Sequence, residues 1–545
     1  MVKQEKLLYK TDYYGSFNDL ILGLEEKYFA RSAFIYKDKK EERVVSYSQL
    51  AKDVAFILKG FEKNSISKKH IAVMGRNSYY YALMFLSCLC SDNVFVPVDK
   101  DLTEEQMTNL INHSESEVLF LDTKYAEKIN NNLDKLTNIK RIVSFDECDI
   151  SECEIITTFG EYTDDYKAIL KKENKDINRL ALLIYTSGTT GDPKGVMLSE
   201  KNILSCGYNG ARICPVLTKG LSVLPYHHTY EESCGLLVSL WCGATICINS
   251  ALTKVLAELN YYKPDYMVIV PAFAELFYKN IMKKVQESGK EKTIKIGIKL
   301  SQLLLKLGID IRRKLFKEIH AAFGGNLKKI YCGGAPINPE TARFFEKIGV
   351  MFICGYGITE CSPLVSGNTD KFNDHSTVGL PIPCVEVEIR DKTEEGIGEI
   401  CVKGETVMLG YYKNEEATKA VIKDGWFYTG DYGFFNKKGQ LTISGRKKNI
   451  IVLSNGKNVY PEEIEEKLKE IEEIKEIIVR GIEEDGYTKG LLAEIYPDEE
   501  KQISEKELFE KIKEMLSEFP SYKRIEKVIL RDEPFVKTTT KKIKR

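Results

Sequence analysis

Short apolar runs alternate with longer amphipathic stretches through most of the chain, and this rhythm restricts the fold more than any other feature. His70-Ile71-Ala72-Val73-Met74-Gly75, Val94-Phe95-Val96-Pro97-Val98 and Val118-Leu119-Phe120-Leu121 have the near-continuous hydrophobicity of buried strands. Between them, Tyr79 to Cys90 and Thr103 to His113 carry apolar residues at helical spacing. Strand, helix and strand in repeated succession predict an α/β fold, with parallel or mixed sheets flanked by helices. Farther on, Val385-Glu386-Val387-Glu388-Ile389 and Glu399-Ile400-Cys401-Val402 alternate as half-exposed antiparallel strands do.

The last hundred residues have a different rhythm. Pro461 stands at a first helical position, and Glu462, Glu463 and Glu465 suit the positive helix amino terminus. Strands around Ile477-Ile478-Val479 and from Leu491 to Tyr496, then a charged helix from Glu505, form a small α+β unit. The expected division is a large domain over residues 1–447 and a small one over 448–545, joined by a short hinge.

A chain of 545 residues is long enough for several cores. Lys and Arg number 79 against 80 Asp and Glu, so no basic surface invites nucleic acid. Fourteen scattered cysteines, no CxxC pair and no apolar signal core after Met1 read as reduced thiols of a cytoplasmic protein. No histidine is spaced with cysteines or carboxylates as a zinc site needs, and no apolar run approaches the roughly 20 residues that span a bilayer.

The densest chemical signal follows the strand-like run Leu180-Ala181-Leu182-Leu183-Ile184: Tyr185-Thr186-Ser187-Gly188-Thr189-Thr190-Gly191-Asp192-Pro193-Lys194-Gly195. Glycines let backbone N–H groups converge on an anion, hydroxyls add donors, and Lys194 brings a compact positive charge. The spacing is not that of a P-loop, because the second glycine of that pattern is missing whether counted from Gly188 or Gly191.

This segment resembles the signature of the acyl-adenylate-forming superfamily, which includes acyl-CoA synthetases, amino-acid-activating domains and firefly-type luciferases. Further segments resemble the family's other motifs, in its order: Leu224-Pro225-Tyr226-His227-His228-Thr229-Tyr230-Glu231, Gly333-Gly334-Ala335-Pro336, Gly355-Tyr356-Gly357-Ile358-Thr359-Glu360, Trp426-Phe427-Tyr428-Thr429-Gly430-Asp431, Gly445-Arg446-Lys447-Lys448 and the terminal Lys537-Thr538-Thr539-Thr540-Lys541-Lys542-Ile543. The tail departs from the family pattern at Val536, where proline is usual, and at Lys541, where glycine is usual.

The resemblance implies a distorted β-barrel subdomain within the large domain and a mobile carboxyl-terminal domain. It implies substrates ATP and coenzyme A, with Mg2+ as the metal. Residue by residue, Thr186, Ser187, Gly188, Thr189, Thr190, Gly191 and Lys194 would hold the triphosphate. Gly334 and Ala335 would pack against adenine, with Tyr356 stacking on it and Gly357 also binding the nucleotide. Thr359 would donate to the α-phosphate, Glu360 would hold Mg2+ together with Thr186, and Asp431 would bind the ribose hydroxyls. Arg446 would contact the nucleotide, Lys448 would be the hinge, and Gly456 would border the coenzyme A channel. His228 would gate or line the acyl site. Lys542 would contact the carboxylate and α-phosphate during adenylation.

Within the superfamily the sequence is most similar to bacterial-type long-chain fatty acid–CoA ligases, which implies a fatty acid substrate. An acyl carrier protein as acceptor, or another carboxylic acid as substrate, stays open, as does a catalytically silent nucleotide-binding homologue. Residues 295–322 add an amphipathic stretch in which Leu300, Leu303, Leu304, Leu307 and Ile311 share a helical face beside Lys299, Lys306, Arg312, Arg313 and Lys314. The two readings of that stretch are a helix packed on the large domain and a peripheral contact with anionic membrane.

Overall fold

The computed structural model describes residues 4–39, 41–171, 176–186, 193–454, 457–484, 487–499, 501, 503–537, 543 and 545. They form two compact units, one of Met1–Gly334, Glu340–Glu386 and Lys403–Gly425, the other of Ala335–Pro339, Val387–Val402 and Trp426–Arg545. The larger unit therefore reaches past residue 386 only through one returning segment, and much of the expected large domain after Trp426 clusters with the carboxyl terminus.

The first unit holds two large sheets with helices against them. The nine-stranded sheet runs Leu380–Pro381, Leu364–Gly367, Met351–Gly357, Lys329–Cys332, Tyr266–Ile269, Lys219–Ser222, Thr245–Ile248, Ser32–Asp38, Glu41–Ser46. Its centre is parallel, as the alternating rhythm requires. The eight-stranded sheet runs Gly410–Tyr411, Lys194–Ser199, Leu180–Thr186, Val94–Val98, His70–Met74, Val118–Leu121, Arg141–Ser144, Glu154–Ile155. The three strands read from apolar runs are thus adjacent and parallel at its middle.

Helix Tyr79–Cys90 is buried at nearly every position because it lies between the sheets. Phe85 and Tyr81 meet Phe95 of one sheet edge-on, while Tyr79 meets Phe34 of the other. A helix enclosed in this way is apolar all round rather than on one stripe. Its neighbour Glu104–His113 starts at a reciprocal cap between Thr103 and Gln106, which supplies partners for two of the amide groups that a helix start leaves unbonded.

The barrel-like part is a five-stranded half-barrel sheet ordered Val385–Arg390, Gly398–Gly404, Trp426–Phe435, Ile422–Lys423, with Leu441–Arg446 also pairing antiparallel to Trp426–Phe435. The carboxyl-terminal α+β part packs helices Pro461–Leu468 and Glu505–Met515 on a three-stranded sheet of Ile474–Glu484, Tyr487–Pro497 and Ile525–Leu530. Ile464, Leu468, Val479, Leu491, Ile495, Leu508 and Ile512 form its own buried core.

Candidate active site

In a parallel sheet the side chains available for chemistry gather past the carboxyl ends of the strands, where each chain turns towards a helix. Three motifs occupy such ends in the nine-stranded sheet. Lys219–Ser222 leads into Leu224 to Glu231, Lys329–Cys332 ends at Gly333-Gly334, and Met351–Gly357 ends in Tyr356-Gly357. The Tyr230 ring lies over Gly333, within 3.1 Å of where a Cβ would stand. Gly357 has no room for a side chain either, since a Cβ would come 2.3 Å from the Pro363 carbonyl oxygen.

The residues that flank the segment expected to bind phosphate, Thr186 and Lys194, belong to the other sheet. Leu180–Thr186 and Lys194–Ser199 pair antiparallel with Thr186 opposite Lys194. Ser187, Gly188, Thr189, Thr190 and Gly191 lie outside the described residues. The Lys194 ammonium sits 5.0 Å from the centre of the Tyr411 ring, a cation–π distance. The Tyr411 hydroxyl in turn donates to Glu360 Oε1 at 2.8 Å. Gly410–Tyr411 is hydrogen-bonded to the Lys194 strand, and the Met408 amide donates to the Glu360 carbonyl at 2.9 Å. Lysine, tyrosine and carboxylate are therefore placed by one short edge strand. Glu360 is only 9 % exposed. Thr359 Oγ1 lies 3.5 Å from Thr229 Oγ1, which ties the Gly-Tyr-Gly motif to the histidine segment.

His227 and His228 have ring centres 4.3 Å apart and different surroundings. His227 is buried, and that burial, with Lys100 adding, pulls its pKa down to about 3. Its Nε2 lies 3.4 Å from an Asp99 carboxylate oxygen without hydrogen-bond geometry, so the pair is a contact of a neutral ring rather than an ion pair. His228 is half-buried. Next comes a π-helix, Tyr230–Leu237, and on it Glu231 and Glu232 are both fully buried. Glu231 accepts a 2.5 Å bond from the Ser222 hydroxyl, and burial pushes its pKa up to about 8. Glu232 is pushed well above the carboxylate range by burial alone.

The second unit carries its own polar group. Asp431 and Arg446 are opposite each other on Trp426–Phe435 and Leu441–Arg446, joined by Arg446 Nε to Asp431 Oδ1 at 2.7 Å. Beside them Lys447 pairs with buried Glu399 at 2.6 Å. Lys448 has its pKa lowered by burial, with Arg446 adding to the effect. Ala335 belongs to this unit while Gly334 belongs to the first. In the tail, Lys537 bridges antiparallel to Ile543 and its ammonium pairs with Glu476 at 2.5 Å. Lys542 and Gly456 lie outside the described residues.

Among the described residues no three His, Cys, Asp or Glu converge on a metal position. A single buried carboxylate, Glu360, bonded to the tyrosine that stacks with Lys194, fits a hard dication that takes its other oxygens from phosphates and water, as Mg2+ does. Sequence reading gave no individual role to Tyr411, Thr229, Glu399 or Glu232. Nothing in Gly410-Tyr411-Tyr412 marks a tyrosine that holds a carboxylate 51 residues away in sequence, whereas four polar residues in Thr229-Tyr230-Glu231-Glu232 could have signalled a buried polar segment.

Comparison with known proteins adds an independent line. The profile of the AMP-binding enzymes matches residues 25–412, and that of the AMP-binding enzyme C-terminal domain matches 448–545. A long-chain-fatty-acid–CoA ligase of Mycobacterium bovis is 30% identical over 432 residues, 75% of this chain and 70% of that protein. Long-chain-fatty-acid–CoA ligase 1 of Homo sapiens is 29% identical over 500 residues, 84% of this chain and 70% of its own length. Among solved structures, the o-succinylbenzoate CoA synthetase of Bacillus subtilis with its acyl-adenylate superposes with a TM-score of 0.72 at 20% identity, covering 96% of both chains. The adenylation domain of a carboxylate reductase from Mycobacterium chelonae gives 0.79 at 20% identity, over 100% of this chain and 92% of that one. The solved structures speak for the fold; the profiles and the sequence relatives establish that the chain belongs to the AMP-binding enzyme family, among its acid–thiol ligases.

Proposed function

We propose that this enzyme converts a fatty acid, of the long-chain class, into its coenzyme A thioester in two steps. A free carboxylate resists thiol attack because its leaving group is poor. In the first step a carboxylate oxygen bonds to the α-phosphorus of ATP and pyrophosphate leaves. In the second the thiolate of coenzyme A bonds to the acyl carbon and AMP leaves. The protein's part is to position the reactants and neutralise phosphate charge.

The observation that carries this reading is the Lys194–Tyr411–Glu360 arrangement beside Thr186. A lysine at the end of the 186–194 strap offers charge to phosphates, and the buried carboxylate bonded to the same tyrosine offers oxygen to their counter-ion. Bound Mg2+, held by Glu360 with Thr186, would supply further neutralisation of the polyphosphate. Thr359 donates to the α-phosphate, Tyr356 and Gly357 face adenine with Gly334 and Ala335, Asp431 binds the ribose hydroxyls and Arg446 contacts the nucleotide. His228, the less buried histidine, borders the acyl site. Residues 448–545 turn about Lys448 between the steps, presenting Lys542 for adenylation and the Gly456 side for thiol attack. The cytoplasm, where thiols stay reduced, suits the 14 cysteines. The relatives' names favour a long-chain acid and coenzyme A; a carrier-protein acceptor is the alternative to exclude.

The test is an acid-dependent pyrophosphate screen over palmitate, octanoate, benzoates and amino acids, with and without coenzyme A, reading acyl-AMP and thioester by mass. Palmitate should lead. Glu360→Gln should lower acyl-AMP formation about a hundredfold or more. Lys542→Ala should remove acyl-AMP formation and spare thioester formation from supplied acyl-AMP. No AMP from ATP with any acid, or equal loss of both half-reactions in the lysine variant, would overturn the corresponding part.

A further inference from the structure

The stretch 295–322 is not one helix. Glu291–Lys306 is helical, Leu307 closes it, Gly308 turns the chain at φ +79°, and short helices Arg312–Leu315 and Lys317–Ala322 follow. Ile311 therefore leaves the apolar face that spacing alone assigned to it, and Leu304 is half-buried. Arg312 and Arg313 also leave the basic face. Arg312 is held by Asp310 and the Glu346 carbonyl, and Arg313 by the carbonyls of Leu327 and Gly325.

What is left on the helix is sharper than the sequence suggested. Its inner side is made of small residues: Ser301 is fully buried, and Gly297 packs against Leu315 and Phe316. Its outer side carries Ile296, Leu300, Leu303 and Leu307, exposed by 66%, 47%, 59% and 69%. At about 100° per residue these four fall within a stripe roughly 60° wide. Lys292, Lys295, Lys299 and Lys306, all exposed, fall on one flank of that stripe, and the helix has one carboxylate, Glu291. A row of bare leucines alongside a row of lysines runs the full length of the helix, about 24 Å.

We propose that this face docks on the surface of an anionic lipid bilayer, the helix lying in the plane with its apolar row in the acyl boundary and its lysines among the headgroups. Charge decides the occupant. Anionic headgroups complement the lysine row, and the apolar stripe beside it is the pattern of an interfacial helix. A second copy of the chain meeting this face would double a positive charge already short of carboxylates. Among the described residues no helix is long and apolar enough to cross a membrane.

The test is flotation of the full chain with vesicles of phosphatidylcholine alone and with phosphatidylglycerol added. The protein should float with the anionic vesicles and be released by salt. Replacing Lys292, Lys295, Lys299 and Lys306 by Gln should lower binding to anionic vesicles at least tenfold. Replacing Leu300, Leu303 and Leu307 by Gln should abolish binding to either composition. Replacing exposed Leu252 and Leu256 by Gln should change nothing. All variants should keep the circular dichroism and melting profile of the parent, a reading that needs no catalytic turnover. The proposal falls if the parent stays unbound, if both sets of replacements leave flotation intact, or if the leucine set instead splits a dimer seen without lipid.

Discussion

Two helical segments of the first unit invert the ordinary logic of burial. The π-helix Tyr230–Leu237 hides two carboxyl groups, Glu231 and Glu232, among apolar side chains. The helix Glu291–Lys306 exposes four large apolar residues and buries a glycine and a serine. An ionised carboxylate in such an interior would be costly, so the first segment keeps its acids protonated near neutral pH. Four aliphatic side chains about half to two-thirds exposed forgo a corresponding part of the about 1.5–3 kcal/mol that full burial of each would give. The two together teach that a residue type out of its usual place needs its own account, a protonated state in one case and the proposed bilayer contact in the other.

The largest expected effect lies in pH. The Glu231 pKa is raised from 4.5 to about 8 by burial, so the folded chain holds a proton there that the unfolded chain releases. Its stabilisation is complete below pH 4.5 and is lost as pH rises through about 8. Glu231→Gln keeps the shape of the neutral acid without the titration. Between pH 5 and 9 it should lose less stability than the parent by on the order of a few kcal/mol, read from urea midpoints. Parallel profiles would break the comparison at its buried end.

Next is Gly235, where a Cβ would stand 2.4 Å from the Glu231 carboxyl carbon. The glycine makes room for a carboxyl folded back along the π-helix, so Gly235→Ala should cost about 1–3 kcal/mol. Ser222→Ala removes the hydroxyl that donates to Glu231 and should cost about 1–2 kcal/mol, with a further rise in the carboxyl pKa. The smallest effect belongs to the exposed helix. Leu303→Gln should leave stability within about 0.5 kcal/mol, while Ser301→Leu on the opposite side should cost about 1–3 kcal/mol. Equal costs at the two positions would mean that the leucine row is covered.

Parts of this molecule were open to reading along the chain because their signals are local. Val94–Val98 and Val118–Leu121 came out as strands over the residues read from their apolar runs, and Thr103 caps the helix that its position suggested. Pro461 opens a helix, as its fixed φ favours. The motifs around Thr186, Tyr356 and Asp431 could be named without coordinates because each keeps its order within a few residues. Long-range choices were not open in this way. Tyr411 reaches Glu360 through an edge strand 51 residues away, and nothing near either residue announces the other. The half-barrel gathers Glu399 with Lys447 across 48 residues.

By itself, then, the sequence determined the α/β class, the order of the motifs and the family chemistry they imply, since periodicity, turn residues and caps act within a turn or two of backbone. Only the tertiary structure decided which histidine is buried, that two adjacent glutamates are sealed from water, and that the helix after Lys290 turns its leucines outward. Burial depends on what packs against a face, and the residues that pack there are set by the whole fold rather than by their neighbours in sequence.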